Sequence, residues 1–112
     1  MSLLKTQSEF LLDAARLITF AASSGFTVTG GELYRTAEQQ KIYVERKLSK
    51  TMDSQHLKRL AIDINLFANG EVCKAADYAK LGAYWKTLNA SNRWGGDFNG
   101  FCDAGHFERL EN

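Results

Sequence analysis

One short segment, Leu60–Leu66, constrains the fold of this chain more than any other. Its residues alternate between two faces: Ile62, Ile64 and Leu66 on one, and Ala61, Asp63 and Asn65 on the other. A period of two predicts a β-strand that turns one face to the core. A carboxylate in the middle of such a strand is costly to bury unless a cation, a metal or hydrogen bonds offset it. Asp63 is therefore either a functional group or a residue facing water on an edge strand.

The rest of the chain predicts helices and short strands around this segment. Apolar residues three and four positions apart, with capping signals, predict three helices: Ser8–Ala22, Ala37–Leu48 and Ala75–Leu88. Alternation and turn residues predict the other strands: Phe26–Thr29, a hairpin around Asn69-Gly70, and short strands within Asn92–Asn112. This order predicts an α+β domain with a small, mainly antiparallel sheet and about three helices.

Length and charge exclude several kinds of partner. A chain of 112 residues is enough for one core, so we expect a single domain over residues 1–112. Fourteen basic and thirteen acidic residues are interspersed and leave a net charge of +1, which argues against a nucleic-acid partner. The apolar stretches are too short and interrupted to span a membrane, and the first residues lack a secretory signal pattern. We therefore expect a monomer that is synthesised in the cytoplasm without a signal peptide.

The two cysteines, Cys73 and Cys102, lie far apart and form no C-x-x-C pair. This spacing gives no support to a disulfide framework or to a thiolate zinc site. A free cysteine behaves mainly as a small hydrophobic residue. We expect both thiols to be reduced and to serve packing.

The only two histidines, His56 and His106, lie in unusual settings. His56 precedes the strand that carries Asp63, and His106 follows a loop rich in glycine and aromatic residues. A lone histidine is usually an ordinary core or surface residue, but imidazole is also the commonest metal ligand. Two imidazoles and one carboxylate on zinc leave one open position, which is typical of a catalytic site. Asp103, three residues before His106, is either a proton-transfer group or a loop residue that caps a turn.

Three blocks of sequence carry a more specific pattern. Ser54–Asp63 fits S-x-H-x-x-x-x-A-x-D at every fixed position. Trp94–Phe98 and Phe101–Glu108 match W-G-G-D-W/F and D-x-x-H-F-E, and Tyr34-Arg35-Thr36 with Glu38 and Gln39 is similar to R-T/S-x-x-x-Q. Together these blocks resemble the zinc D-alanyl-D-alanine carboxypeptidase and dipeptidase family, and within it the phage and bacterial L-alanyl-D-glutamate endopeptidases.

The resemblance implies a fold and a set of roles. It implies a D-Ala-D-Ala carboxypeptidase-like or Hedgehog-like fold with a zinc site on the sheet. It implies Zn²⁺ ligation by His56, Asp63 and His106, with Asp103 as catalytic acid/base and Arg35 polarising the scissile carbonyl. It also implies that Ser54, Gln39 and Trp94 contact substrate. Two of these have simpler readings, because an arginine at a helix start is often a surface residue and Ser54 could be a turn hydroxyl.

The function that the resemblance implies is hydrolysis of peptidoglycan stem peptides between L-Ala and D-Glu, as in a phage lysis enzyme that acts at the cell wall or periplasm after release. The alternatives are a D-Ala-D-Ala carboxypeptidase or dipeptidase, and a non-catalytic zinc-containing binding module of the same fold. The chain departs from many relatives at Asp103, where they carry Glu, and at Lys58-Arg59, where they carry a small residue. Cationic side chains near the site favour an acidic substrate.

Overall fold

The computed structural model describes residues 2–49, 52 and 54–111. Within them the elements follow in this order: α1 (Leu3–Ser23), β1 (Thr27–Gly30), α2 (Ala37–Glu45), β2 (Ala61–Ala68), β3 (Glu71–Val72), α3 (Ala75–Leu88), β4 (Asn92–Trp94) and β5 (His106–Arg109). Two short 3₁₀ turns, Gln55–Lys58 and Gly95–Asp97, precede β2 and follow β4. The predicted α+β architecture is confirmed, and α3 has the predicted bounds.

The strands form a five-stranded antiparallel sheet in the order β1-β2-β5-β4, with β3 pairing with the far end of β2. Asn69 and Gly70 connect β2 to β3, with φ angles of 53° and 76°. Two successive residues with positive φ are typical of a type I′ hairpin turn, as the sequence predicted. The centre of the sheet is therefore the β2–β5 pair.

Helices α1 and α3 supply most of the apolar core. The fully buried members of the core cluster from these helices are Phe10, Leu17, Ala21, Leu81 and Trp85. No helix among the described residues is both long and apolar enough to cross a bilayer.

The buried face of α1 is narrower than its sequence predicted. Leu11 and Ile18 are exposed, whereas Asp13, which periodicity placed outside the apolar stripe, is buried. The reason is an ion pair between Asp13 and Arg109 in β5, which turns the carboxylate toward the sheet. A long-range charge pair thus connects this edge of the helix to β5.

Three local expectations also differ from the structure. Ala61, predicted on the polar face of β2, is fully buried, because it lies directly across from the buried Glu108 in β5. Helix α2 ends at Glu45 rather than Leu48, since Lys47 adopts a left-handed conformation with φ of 60°. Both cysteines are free thiols, but Cys102 is exposed, so the expected packing role holds only for Cys73, which packs partly against the core.

Candidate metal centre

The register of β2 and β5 places Asp63 directly opposite His106. Side chains that face each other across an antiparallel pair lie on the same face of the sheet. Asp63 Oδ1 lies 3.2 Å from His106 Nδ1. The ladder continues past His106, because the Ile64 amide donates to the Gly105 carbonyl at 2.8 Å. A β-carbon at Gly105 would lie 2.7 Å from the Ile64 carbonyl oxygen, so this approach requires glycine.

His56 reaches the same place from the 3₁₀ turn Gln55–Lys58. Ser54 caps this turn by accepting a hydrogen bond from the His56 amide at 3.3 Å. The turn ends at Arg59, whose left-handed backbone with φ of 57° redirects the chain into β2. The His56 ring is 2% exposed, and its Nε2 lies 3.3 Å from Asp63 Oδ1.

The hydrogen bonds of His56 orient its ring. Its Nδ1 lies 3.0 Å from the Leu33 carbonyl oxygen, and since a carbonyl only accepts, this nitrogen carries the proton and donates. The neutral ring then has its lone pair on Nε2, facing the Asp63 carboxylate. That nitrogen is buried and has no hydrogen-bond partner among the described residues. Two acceptors that face each other in a buried site require a positive charge between them.

The three ligand atoms fit a zinc ion. His56 Nε2, Asp63 Oδ1 and His106 Nδ1 all lie within 4.8 Å of one another. The distances from Asp63 to the two imidazoles are 3.3 and 3.2 Å. Tetrahedral zinc with bonds of about 2.0 to 2.2 Å separates neighbouring ligand atoms by roughly 3.3 to 3.6 Å. The chemistry of the donor set and its spacing therefore both suit this metal.

Electrostatics at the site favour a bound cation. Burial alone would raise the pKa of Asp63, but the adjacent imidazoles of His106 and His56 outweigh it and hold this pKa well below its ordinary value. Burial alone would lower the pKa of His106, but hydrogen bonds to Asp63 and Glu108 raise it to about 9. The carboxylates thus stabilise positive charge on or beside the imidazoles. A metal must displace a proton here, so its binding is coupled to proton release.

Asp103 lies beside these three residues without joining them. Its Oδ2 is 4.0 Å from His106 Nδ1, and its side chain is 51% exposed toward the groove. The Asp103 amide donates to the Gly95 carbonyl, and its own carbonyl accepts from the His106 amide, each at 3.0 Å. Loss of water on one side raises the pKa of the Asp103 carboxyl, and the nearby charge of His106 offsets only part of this. The Asp103 backbone is thus fixed next to the candidate ligands, and its carboxylate is open to solvent.

Arg35 is held rigidly at the edge of the site. Its amide donates to the His56 carbonyl at 3.2 Å, so the two functional segments are joined through their backbones. Its guanidinium pairs with Glu32 at 2.7 Å, donates to Gln40 at 2.7 Å and lies 4.7 Å from the Tyr43 ring centroid. With a side chain only 10% exposed, Arg35 is not the surface residue that its place before a helix also suggested.

The glutamine that supports Arg35 is Gln40 rather than Gln39. Gln39 lies in the first turn of α2, where its amide donates to the capping hydroxyl of Thr36 at 3.1 Å, and its side chain does not line the groove in the described part of the chain. Gln40 is fully buried against Arg35. Counting along R-T-x-x-x-Q from Arg35 also leads to position 40, so the sequence contained this signal.

Ser54 and Trp94, the other two residues expected to contact substrate, both line the groove. The Ser54 hydroxyl also caps the 3₁₀ turn and lies 3.5 Å from Arg35 Nη1, which agrees with the turn-hydroxyl reading. The Trp94 indole donates to the Ala104 carbonyl at 2.7 Å. This bond supports the loop that carries Asp103. Both residues thus have a structural role, and their contact with substrate stays a prediction.

The ligands lie on the floor of a groove of about 1350 Å³. Lys58 lines it and pairs with Glu111 at 3.2 Å, whereas Arg59 lies outside the lining and stacks 4.1 Å from the centroid of Tyr34. Of the two cations that the sequence placed near the site, only Lys58 is therefore positioned to meet a ligand in the groove.

The groove is also lined by Glu32 and Glu108, which contact Arg35 and His106, and by Arg93, which contacts Glu108. The sequence indicated that Glu108 lies beside His106, because a residue two positions along a strand shares the same face. Glu32 lies three residues before Arg35 and was already a candidate ion-pair partner for it. Arg93 had no such signal, since its contact with Glu108 depends on the pairing of β4 with β5.

Known proteins share this sequence pattern and this fold. Residues 47–109 match the D-alanyl-D-alanine carboxypeptidase family of M15 peptidases. The chain is 35% identical over 100 residues to the L-alanyl-D-glutamate peptidase of Listeria phage A118, covering 85% of this chain and 34% of that protein. It thus spans about a third of that relative's length.

The fold is similar to the crystal structure of the Serratia marcescens L-Ala D-Glu endopeptidase ChiX, with a TM-score of 0.70 and 24% identity, covering 88% of this chain and 78% of the other. The family match covers more than half of the chain and includes His56, Asp63, Asp103 and His106. These residues meet at one place in the structure, so the resemblance found in the sequence is confirmed, and the chain belongs to the D-alanyl-D-alanine carboxypeptidase family of M15 peptidases.

Proposed function

We propose that this protein is a zinc peptidase that hydrolyses peptidoglycan stem peptides at the bond between L-Ala and D-Glu. The observation that carries the proposal is the orientation of His56. Its Nδ1 is committed to the Leu33 carbonyl, so its buried Nε2 faces Asp63 and His106 as a prepared metal ligand. A histidine with only a packing role has no need of this arrangement.

His56, Asp63 and His106 would hold the ion and leave it accessible from the groove. When bound, Zn²⁺ supplies Lewis-acid chemistry that activates water and polarises a carbonyl. Asp103 receives the proton of the attacking water and delivers it to the leaving amine, a role that its place beside the ligands and its exposure support. Arg35 stabilises the negative charge that develops on the carbonyl oxygen, because its guanidinium is already fixed at the groove edge.

The substrate assignment rests on the relatives and on the shape of the site. The phage relative is named for L-alanyl-D-glutamate bonds, and the structural neighbour is an L-Ala D-Glu endopeptidase. An endopeptidase must accept chain on both sides of the cleaved bond, which a groove of this volume permits. Lys58 in the groove wall favours a substrate with carboxylates. The enzyme would act at the cell wall or in the periplasm.

The family description favours a second candidate, a D-Ala-D-Ala carboxypeptidase or dipeptidase. Its metal, Asp103 and Arg35 would have the same tasks, and only the substrate contacts would differ. A non-catalytic binding module is less consistent with the site, because such a module has no use for a carboxylate beside an accessible metal position.

Mass spectrometry of digested wall distinguishes the candidates. Purified peptidoglycan is incubated with zinc-loaded protein, with and without chelator, and the products are identified. Stem peptides with a new D-Glu amino terminus, formed only without chelator, would support the endopeptidase. Release of free D-Ala would instead favour the carboxypeptidase. Intact wall after treatment with fully zinc-loaded protein would contradict both and leave a binding role.

A further inference from the structure

The His106 ring has a second carboxylate partner on its far side. Glu108 follows His106 by two residues in β5, so both side chains project from the same face of the strand. Glu108 Oε1 lies 2.6 Å from His106 Nε2, and the residue is 6% exposed. His106 is therefore held between two carboxylates, with Asp63 at Nδ1 and Glu108 at Nε2.

Arg93 in turn anchors Glu108. The two residues lie directly opposite each other in the β4–β5 pair. Arg93 Nη2 and Nε contact the same carboxylate oxygen, Oε2, at 3.0 and 3.2 Å, which leaves Oε1 for His106. The Trp85 indole donates to the carbonyls of both Arg93 and Glu108 at 3.1 Å, so the backbone of this pair is fixed from the core.

This arrangement separates Glu108 from the proton-transfer chemistry. Both of its oxygens are engaged, and it contacts the ring nitrogen that faces away from Asp63 and His56. A carboxylate that accepts the outer N–H of a metal-ligating imidazole fixes the tautomer and orientation of the ring and increases its basicity as a ligand. The same contact opposes a flip of the ring, which would replace Nδ1 by a carbon atom on the side of Asp63.

We propose that Glu108, held in place by Arg93, is a positioning residue that fixes His106 as a metal ligand through Nδ1. The inference rests on the metal site of the proposed function and deepens it. Glu108 acts on metal affinity and Arg93 acts through Glu108, so the two effects belong to one chain of contacts that starts in β4 and ends at the metal.

Zinc affinity of the purified protein, measured by competition with a chromogenic chelator, tests the role of Glu108. Glu108→Gln preserves the shape of the side chain and removes its charge, and it should raise the zinc Kd about 10 to 100-fold. Glu111→Gln is the matched control, since Glu111 lines the same groove and pairs with Lys58 away from the metal ligands. Its zinc Kd should equal that of the wild type.

Arg93 is tested by a double-mutant cycle. Arg93→Gln should raise the zinc Kd roughly 3 to 10-fold, less than Glu108→Gln, because the carboxylate remains but is less well fixed. The double variant should bind zinc no more weakly than Glu108→Gln alone, since Arg93 acts only through Glu108. Fully additive losses would overturn this part of the proposal and assign Arg93 an independent role.

Proton NMR of the imidazoles separates positioning from a general loss of structure. The chain has only two histidines, so the Nε2 proton of His106 is readily assigned in ¹⁵N-histidine-labelled, zinc-loaded protein. Its charge-assisted bond of 2.6 Å should place this resonance downfield. The resonance should move upfield in Glu108→Gln and stay unchanged in Glu111→Gln.

The outcomes are distinguishable from failure of the proposed function. If wild-type protein and Glu108→Gln bind zinc equally tightly and the His106 resonance does not move, the positioning role is overturned. The peptidase proposal then still stands. Wild-type protein that binds no zinc overturns both. A weaker zinc Kd together with the shifted resonance supports the chain of contacts from Arg93 to the metal.

Discussion

The two faces of β5 carry two buried ionic networks that differ in how completely their polar atoms are paired. On the helix side, Arg109 is 3% exposed, pairs with Asp13 and donates to Asn92 at 2.8 Å. Asp13 also accepts from Arg16 at 2.7 Å. On the groove side, acceptors from His56, Asp63 and Glu108 surround His106, and the buried His56 Nε2 has no hydrogen-bond partner among the described residues.

This difference separates a structural network from a functional one. A buried charge pair whose members satisfy each other holds two elements together and has no capacity left for a ligand. A buried cluster with more acceptors than donors requires a cation from outside. The helix-side network should therefore govern stability and the groove-side network should govern metal binding, which the following variants test from the largest expected effect to the smallest.

His106→Ala should abolish metal binding and hydrolysis while the helix-side network keeps the fold. Loss of a metal that stabilises the transition state by several kcal/mol predicts a fall in kcat/KM of roughly 1,000-fold or more. Elemental analysis of the purified variant and turnover of a defined stem peptide provide the measurements. A variant with a full complement of zinc would remove His106 from the ligand set.

Asp13→Ala should have the opposite profile, because it leaves the buried Arg109 charge without its carboxylate. We expect a loss of about 3 to 5 kcal/mol in the free energy of unfolding, with zinc Kd and low-temperature kcat unchanged. Urea denaturation measures the free energy of unfolding. Arg16, the exposed partner of Asp13, provides the control: Arg16→Ala should lower this free energy by about 1 kcal/mol or less. If Asp13→Ala weakened zinc binding as strongly as stability, the two networks would not be separable.

Asp103→Asn tests the groove-side network without touching a metal ligand. The amide cannot accept and deliver the proton, so hydrolysis should fall roughly 100-fold or more, with zinc content and thermal stability close to those of the wild type. Single-turnover kinetics on a defined stem peptide measure the chemical step. Near wild-type turnover would mean that another group transfers the proton, and Glu108 is a poor substitute because both of its oxygens are engaged.

Arg35→Ala should have a smaller effect that is confined to the transition state. We expect kcat/KM to fall roughly 10 to 1,000-fold, about 1.4 to 4 kcal/mol, with zinc content unchanged. Arg35→Lys should recover only part of this, since an ammonium cannot contact both Glu32 and Gln40 as the planar guanidinium does. Unchanged steady-state kinetics in Arg35→Ala would assign Arg35 to holding Glu32 and α2 in place.

Local patterns in the sequence predicted the parts of the structure that depend on neighbouring residues. The alternation of Leu60–Leu66, the Asn69-Gly70 turn and the bounds of α3 all depend on short-range periodicity or turn chemistry. The clustering of the metal-ligand candidates followed from motif resemblance rather than from spacing.

Contacts between distant residues were not predictable in this way. Asp13 and Arg109 are 96 positions apart, and no periodicity indicates that they will be buried against each other. The choice of Gln39 over Gln40 has a different cause, since the spacing of R-T-x-x-x-Q from Arg35 already indicated position 40, and the bond to Arg35 agrees with it. The sequence thus predicted which residues gather at the candidate site, and the fold determined the contacts that hold each of them.

The packing of Trp94 against α3 has a consequence for protein engineering. Its ring lies between Gly82 and Gly96, and a β-carbon at either position would overlap the indole. Replacing a glycine inside a helix by alanine is a standard route to thermostability, worth about 1 kcal/mol in helix propensity. At Gly82 the same change would displace Trp94 and, through its bond to Ala104, the loop that carries Asp103. A stabilisation campaign guided by helix propensity alone would therefore select a substitution that disturbs the candidate site.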